Sequence, residues 1–225
     1  KPGEGLKDTF RDKFLIGVAL NKGQILGRDT LALPFVIRHF NSITAENEMK
    51  WERIHPMPDV YDFTVADSMV AFGKRNNMFI VGHALVWHSQ VPDWVFTDER
   101  GKSLTRDALL QRMKSHIDAV VGRYKGKVDG WDVVNEALEE DGQLRKSKWY
   151  EIIGEDYIQK AFEYAREADP GAELYNNDYN IENKEKREGA IRLIKDLQQK
   201  GIIVNGVGIQ GHWHLDSPDI QEIDS

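Results

Sequence analysis

At 225 residues, with 40% apolar and 30% charged side chains, the chain can bury one sizeable core and shows no low-complexity window. Its formal net charge of −7, from 30 basic and 37 acidic residues, argues against a nucleic-acid or anionic-membrane partner, since both need a surplus of Lys and Arg on one face. No apolar run approaches the roughly 20 residues that cross a bilayer, and the absence of cysteine excludes disulfides and thiolate metal sites.

The opening Lys1-Pro2-Gly3-Glu4-Gly5 carries neither Met nor an apolar signal core and reads as a mature or trimmed terminus. Short apolar runs follow at residues 14–20, 42–46 and 78–86. They lack strict alternation, which suits strands of a parallel sheet buried on both faces. Leu109, Leu110, Met113, Ile117, Val120, Val121 and Tyr124 then recur at helix spacing, with Thr105 as N-cap and Asp107 in the first turn. A fourth run at 128–134 precedes a second stripe, Tyr157, Ile158, Ala161, Phe162 and Ala165, stopped by Asp169-Pro170-Gly171. A fifth run at 173–176 leads to Ala190, Ile191, Ile194 and Leu197, closed by Gly201 in the C-cap position, and a sixth lies at 203–209. Ser217-Pro218-Asp219 reads as an N-cap, a proline at the first helical position and an acid in the first turn. Ile220 and Ile223 begin a helix that stops at Ser225.

Six strands alternating with five helices predict a parallel α/β fold, and both a doubly wound sheet and a barrel satisfy that alternation. The Rossmann glycine fingerprint is missing; Gly206-Val207-Gly208 is a lone fragment. The polar residues favour the barrel. Glu46-Asn47-Glu48, His83 with Trp87-His88, Asn135-Glu136, Asn176-Asn177-Asp178, and Gln210 with His212 each follow the C-terminal end of a run. In a barrel the loops after the strands build one shared face. The expected fold is a (β/α)8 barrel with only about six βα units in this chain. An open six-stranded sheet leaves unpaired edges, so the chain reads as unfinished.

Several of these clusters could carry chemistry. Trp131-Asp132-Val133-Val134-Asn135-Glu136 runs as a buried strand into an amide and a carboxylate. At a barrel mouth, burial raises the pKa of a carboxyl toward that of a working general acid; the alternative is a Glu that caps or salt-bridges a helix. Glu46-Asn47-Glu48-Met49-Lys50-Trp51 sets polar groups against an indole, as a sugar-binding rim or a solvated helix start would. His83 and His88 also fit core or loop roles. His212-Trp213-His214 admits a metal pair, for which Asp178 and His83 could be further ligands.

Five stretches settle the comparison: T-A-E-N-E-M-K-W (44–51), G-H-A-L-V-W-H-S-Q-V-P-D-W (82–94), W-D-V-V-N-E-A (131–137), L-Y-N-N-D-Y-N (174–180) and G-V-G-I-Q-G-H (206–212). In this order, across nearly the whole chain, they make it resemble glycoside hydrolase family 10, the endo-1,4-β-xylanases. The resemblance implies a retaining double displacement on xylan or xylo-oligosaccharides without metal or organic cofactor. It implies that Glu136 is the general acid/base and that Asn135 binds the sugar 2-hydroxyl. Glu46, Asn47, Lys50, His83 and Trp87 match the glycone side of the cleft, Gln210 and His212 the pair beside the nucleophile, and Tyr179 the aglycone side. Asn176-Asn177-Asp178 replaces the commoner Ile-Asn-Asp.

The departure is an absence. The family carries its nucleophilic Glu on the seventh strand in a Thr-Glu-Leu-Asp-like motif, which has no counterpart here. Residues 1–225 are therefore expected to be one incomplete catalytic barrel holding strands one to six, inactive alone, completed by a second polypeptide or by further chain. Secretion, extracellular or periplasmic, is expected because polymeric xylan lies outside cells. The rivals are a carbohydrate-binding relic and a metallohydrolase using His212 and His214.

Overall fold

Val- and Ile-rich runs form the strands here; those at 79–87 and 130–135 are mostly buried, whereas those at 17–20 and 206–209 stay largely open to solvent. The computed structural model describes residues 4–224. The readings placed on residues 1–3 and on Ser225, the trimmed start and the end of the last helix, lie outside the described residues. Six strands run parallel in simple chain order: β1 (Gly17–Leu20), β2 (Ser42–Ala45), β3 (Phe79–Trp87), β4 (Gly130–Asn135), β5 (Glu173–Asp178) and β6 (Gly206–Ile209). They form a curled half-barrel, the open part of a (β/α)8 fold.

The principal crossover helices are Ala32–His39, Thr64–Arg75, Arg106–Arg123, Tyr157–Ala168 and Lys184–Gln199. The expected stripe beginning at Leu109 faces the sheet, with Leu109, Met113, Ile117, Val120 and Val121 all buried, and the Thr105 hydroxyl accepts the Ala108 N–H at 3.3 Å. Helices Arg106–Arg123 and Tyr157–Ala168 pack on each other, and the second also packs on β4. Between sheet and helices lie the largest fully buried side chains, Trp131, Trp149, Tyr124 and Phe162. Gly82 lets Trp131 in: a Cβ there would stand 2.2 Å from the indole ring. Gly201 lies one residue beyond the C-cap Lys200, at φ 77°, so it ends the helix as the left-handed residue rather than as the cap.

The last helix differs from expectation. It spans Ile220–Ile223, and its N-cap is Asp219, whose carboxylate accepts the Gln221 N–H at 2.9 Å. Ser217 and Pro218 therefore precede the helix. The helix starts two residues later than expected, so the capped amide is that of Gln221.

Two register shifts place the polar residues. One falls between His83 and Val86 on β3 against β4, the other between Asp132 and Val134 on β4 against β5. A bulge interrupts the two-residue alternation, so Asp132 and Asn135, three apart, both line the barrel interior. Among the described residues β1 and β6 are the sheet edges, and apolar exposure gathers beside them: Phe14 and Leu15 before β1, Val207 and Ile209 on β6.

Candidate active site

Strand ends β1 to β6 surround a cavity of about 610 Å³ that holds Glu46, Lys50, His83, Trp87, Asn135, Glu136, Gln210 and His212. Of the ten residues the sequence singled out, Asn47 and Tyr179 stand outside its wall. Glu136 directly follows β4, its side chain about one-seventh exposed. Each carboxylate oxygen has its own donors. The Trp87 indole N–H donates to Oε2 at 2.9 Å, while the Gln210 and Asn135 amides donate to Oε1 at 3.2 and 3.3 Å. His88 Nε2 lies 3.8 Å from Oε2. Burial, then the Arg145 charge, lowers the pKa of His88.

Asn135 is itself held. Its Oδ1 accepts from Asn177 at 2.9 Å and Gln210 at 3.1 Å, which leaves its NH2 to face Glu136. Gln210 in turn meets His212 Nε2 through Oε1 at 2.8 Å. Three strands thus contribute to one chain of polar contacts ending on a single carboxyl group.

The other flank is built from the loop after β2. Lys50 Nζ donates to Asn47 Oδ1 at 2.9 Å and Gln90 Oε1 at 2.7 Å, and stands 4.9 Å from the Trp87 ring centroid. Asn47 therefore acts on the cavity through Lys50. Burial lowers the Lys50 pKa, opposed by Glu46, Glu136 and Glu52. His83 Nδ1 meets Asp132 Oδ2 at 2.8 Å, which fixes the ring orientation.

Tyr179 is tied to Arg145, whose Nη2 donates to the phenol oxygen at 2.9 Å. Of the polar triplet on β5, only Asn177 faces the cavity. Asp178 points the other way into a fully buried ion pair with Lys186 at 3.1 Å. The metal reading finds no support in this geometry: Asp178 is paired with Lys186, His83 Nδ1 with Asp132, and His212 Nε2 with Gln210. Among the described residues no three His, Asp, Glu or Cys side chains converge.

Sequence reasoning gave no role to Asp132, Gln90 and Arg145, and placed Asn177 at the active face only as part of the cluster Asn176-Asn177-Asp178. Asp132, Gln90 and Asn177 lie inside the quoted stretches, but nothing local distinguishes them from strand or turn residues. Arg145 falls in no such stretch, nine positions after Glu136, and only the folded loop brings it back.

The Glycosyl hydrolase family 10 model matches residues 5–225. A β-1,4-xylanase of Dictyoglomus thermophilum is 50% identical over 215 residues, covering 95% of this chain and 58% of its own length. A family 10 endoxylanase structure from a sugarcane soil metagenome superposes with a TM-score of 0.96 at 46% identity, over 98% of this chain and 66% of that one. A structure described as an intracellular xylanase from Thermoanaerobacterium saccharolyticum gives 0.93 at 44%, over 98% and 70%. The chain spans about three-fifths of the length of the first curated relatives it matches. Matched along nearly its whole length by that model, the chain belongs to glycosyl hydrolase family 10.

Proposed function

We propose that this chain forms the acid/base side of an endo-1,4-β-xylanase, with Glu136 as the general acid/base of a retaining double displacement. The observation that carries the reading is the carboxyl group of Glu136 at a strand end, its two oxygens separately held by Trp87 and by Gln210 with Asn135. Glu136 gives its proton to the departing glycosidic oxygen, then takes one from the water that frees the sugar. Retention needs a second carboxyl about 5–5.5 Å away. Among the described residues the other acids of the cavity wall are Glu46 and Asp132, and Asp132 is engaged by His83. We assign the nucleophile to a seventh strand, carried by further chain or a second polypeptide, that docks on the apolar edges at β1 and β6.

Lys50, His83, Trp87 and Glu46 suit the glycone sugars, and Lys50 and His83 offer donors to hydroxyls as oxocarbenium character develops. Asn135 suits the 2-hydroxyl, Gln210 and His212 the neighbourhood of the nucleophile, and Tyr179 the aglycone. Export is proposed on the ground that the polymer is extracellular; no described helix is long and apolar enough to cross a membrane. Cell fractionation with activity staining tests it, and activity confined to the cytoplasm refutes it.

The central test is reducing-sugar release from xylan by the completed barrel and by its Glu136→Gln variant. The variant is expected to lose about 100- to 10,000-fold in rate. Full activity in the variant, or xylan binding with no release by the parent, overturns the reading.

A further inference from the structure

Glu136 leaves β4 with φ 58°, a left-handed conformation that costs a non-glycine residue on the order of 1–2 kcal/mol. Its neighbours must over-determine it. On one side, the Glu136 N–H donates to the Asn177 carbonyl at 2.8 Å. On the other, the Glu136 carbonyl accepts from Arg145 Nε at 3.0 Å.

The same guanidinium is committed on every nitrogen. Nη2 donates to the Leu138 carbonyl at 3.0 Å and to the Tyr179 hydroxyl at 2.9 Å, and Nη1 lies 3.1 Å from the Glu139 carboxylate. The Arg145 N–H also donates to the Ala137 carbonyl at 2.8 Å. A planar fork engaged at three nitrogens cannot turn without losing several bonds together, and a lysine could replace only one of them at a time.

We infer that Arg145 is a positioning residue for proton transfer by Glu136, holding the left-handed backbone that aims the carboxyl group and linking it to Tyr179. The inference rests on the acid/base reading of Glu136. The Trp87 and Gln210 donors come from β3 and from the loop after β6, so a backbone shift at Glu136 carries its oxygens away from partners that stay in place. A misplacement of about 1 Å costs on the order of 100-fold in rate.

The test uses the completed barrel and two substrates, unactivated xylo-oligosaccharide and 2,4-dinitrophenyl xylobioside. The dinitrophenolate leaves without a proton, so its kcat/KM, which reports glycosyl transfer to the enzyme, is blind to the acid. Arg145→Met is expected to lower kcat/KM on the oligosaccharide by roughly 30- to 100-fold and on the aryl glycoside by less than about threefold. Added guanidinium ion should restore part of the first loss. Arg145→Lys keeps the charge without the fork and should show a gap between substrates of at least about tenfold. It decides the matter if thermal melting shows that Arg145→Met does not fold. Equal losses on both substrates, or no loss, overturn the inference. Glu136→Gln is measured alongside. If it shows no gap between substrates, the acid/base reading itself fails; if it shows one and the Arg145 variants do not, only the role of Arg145 fails.

Discussion

Acidification should unfold this protein through two histidines that touch no substrate. His55 and His116 are buried, with Nδ1 atoms 3.2 Å apart, in a stack where Trp51 lies 3.5 Å from His116 and Tyr61 lies 3.9 Å from His55 by ring centroids. Neither Nε2 has a protein partner. Two neutral rings can share one hydrogen between the Nδ1 atoms; two cations cannot coexist there. Burial, against a weaker pull from Asp59 and with a further push from Arg112, lowers the His55 pKa from 6.5 to about 4, and burial with the His55 charge holds His116 well below 6.5. Between pH 6.5 and 4 the unfolded chain binds protons that the folded chain refuses, so stability is full above 6.5 and declines toward 4. For His55 alone the drop corresponds to about 3 kcal/mol, most of it lost by pH 4.5. The perturbation is the double variant His55→Phe, His116→Phe, which keeps stacked rings and removes the titration. Urea unfolding at pH 7 and pH 4.5 should show that the acid loss of the parent shrinks in the variant by at least about 2 kcal/mol. An unchanged loss would refute the assignment of acid lability to this pair.

Three further outcomes follow from the packing. Gly82→Ala puts a Cβ 2.2 Å from the Trp131 ring, and the overpacked core should lose about 2–3 kcal/mol in urea unfolding. Lys186→Met leaves Asp178 buried beside the Leu138 and Tyr179 amides without its cation; about 3–5 kcal/mol should be lost at pH 7, read by thermal melting. Gln210→Ala removes the amide that bridges Glu136, Asn135 and His212, and kcat/KM on xylan in the completed barrel should fall by roughly tenfold or more while the melting temperature changes little.

The half-barrel was legible because its cause is local. Each of the six apolar runs contains the core of an observed strand, and the stripes starting at Leu109 and Tyr157 form two helices that pack on each other, the second of them on β4. Two caps fell one or two residues from where residue type put them: Gly201 follows the C-cap Lys200, and the last helix starts from Asp219, which caps the Gln221 amide, rather than from Ser217 and Pro218. Residue type cannot rank two capping residues two positions apart; the path of the chain does.

What the sequence determined by itself was the order of the elements and the family-like stretches at the strand ends, because apolar spacing and short motifs are properties of neighbouring residues. Tertiary structure alone decided which face each polar side chain takes. The β4 bulge turns Asp132 and Asn135 to the same side, while unbroken alternation sends Asn177 into the cavity and Asp178 into the pair with Lys186. It also decided the contacts between distant positions, Gln90 on Lys50 and Arg145 on Glu136 and Tyr179. A hydrogen bond between residues 40 positions apart leaves no periodic trace in either segment, so only folding brings donor and acceptor together.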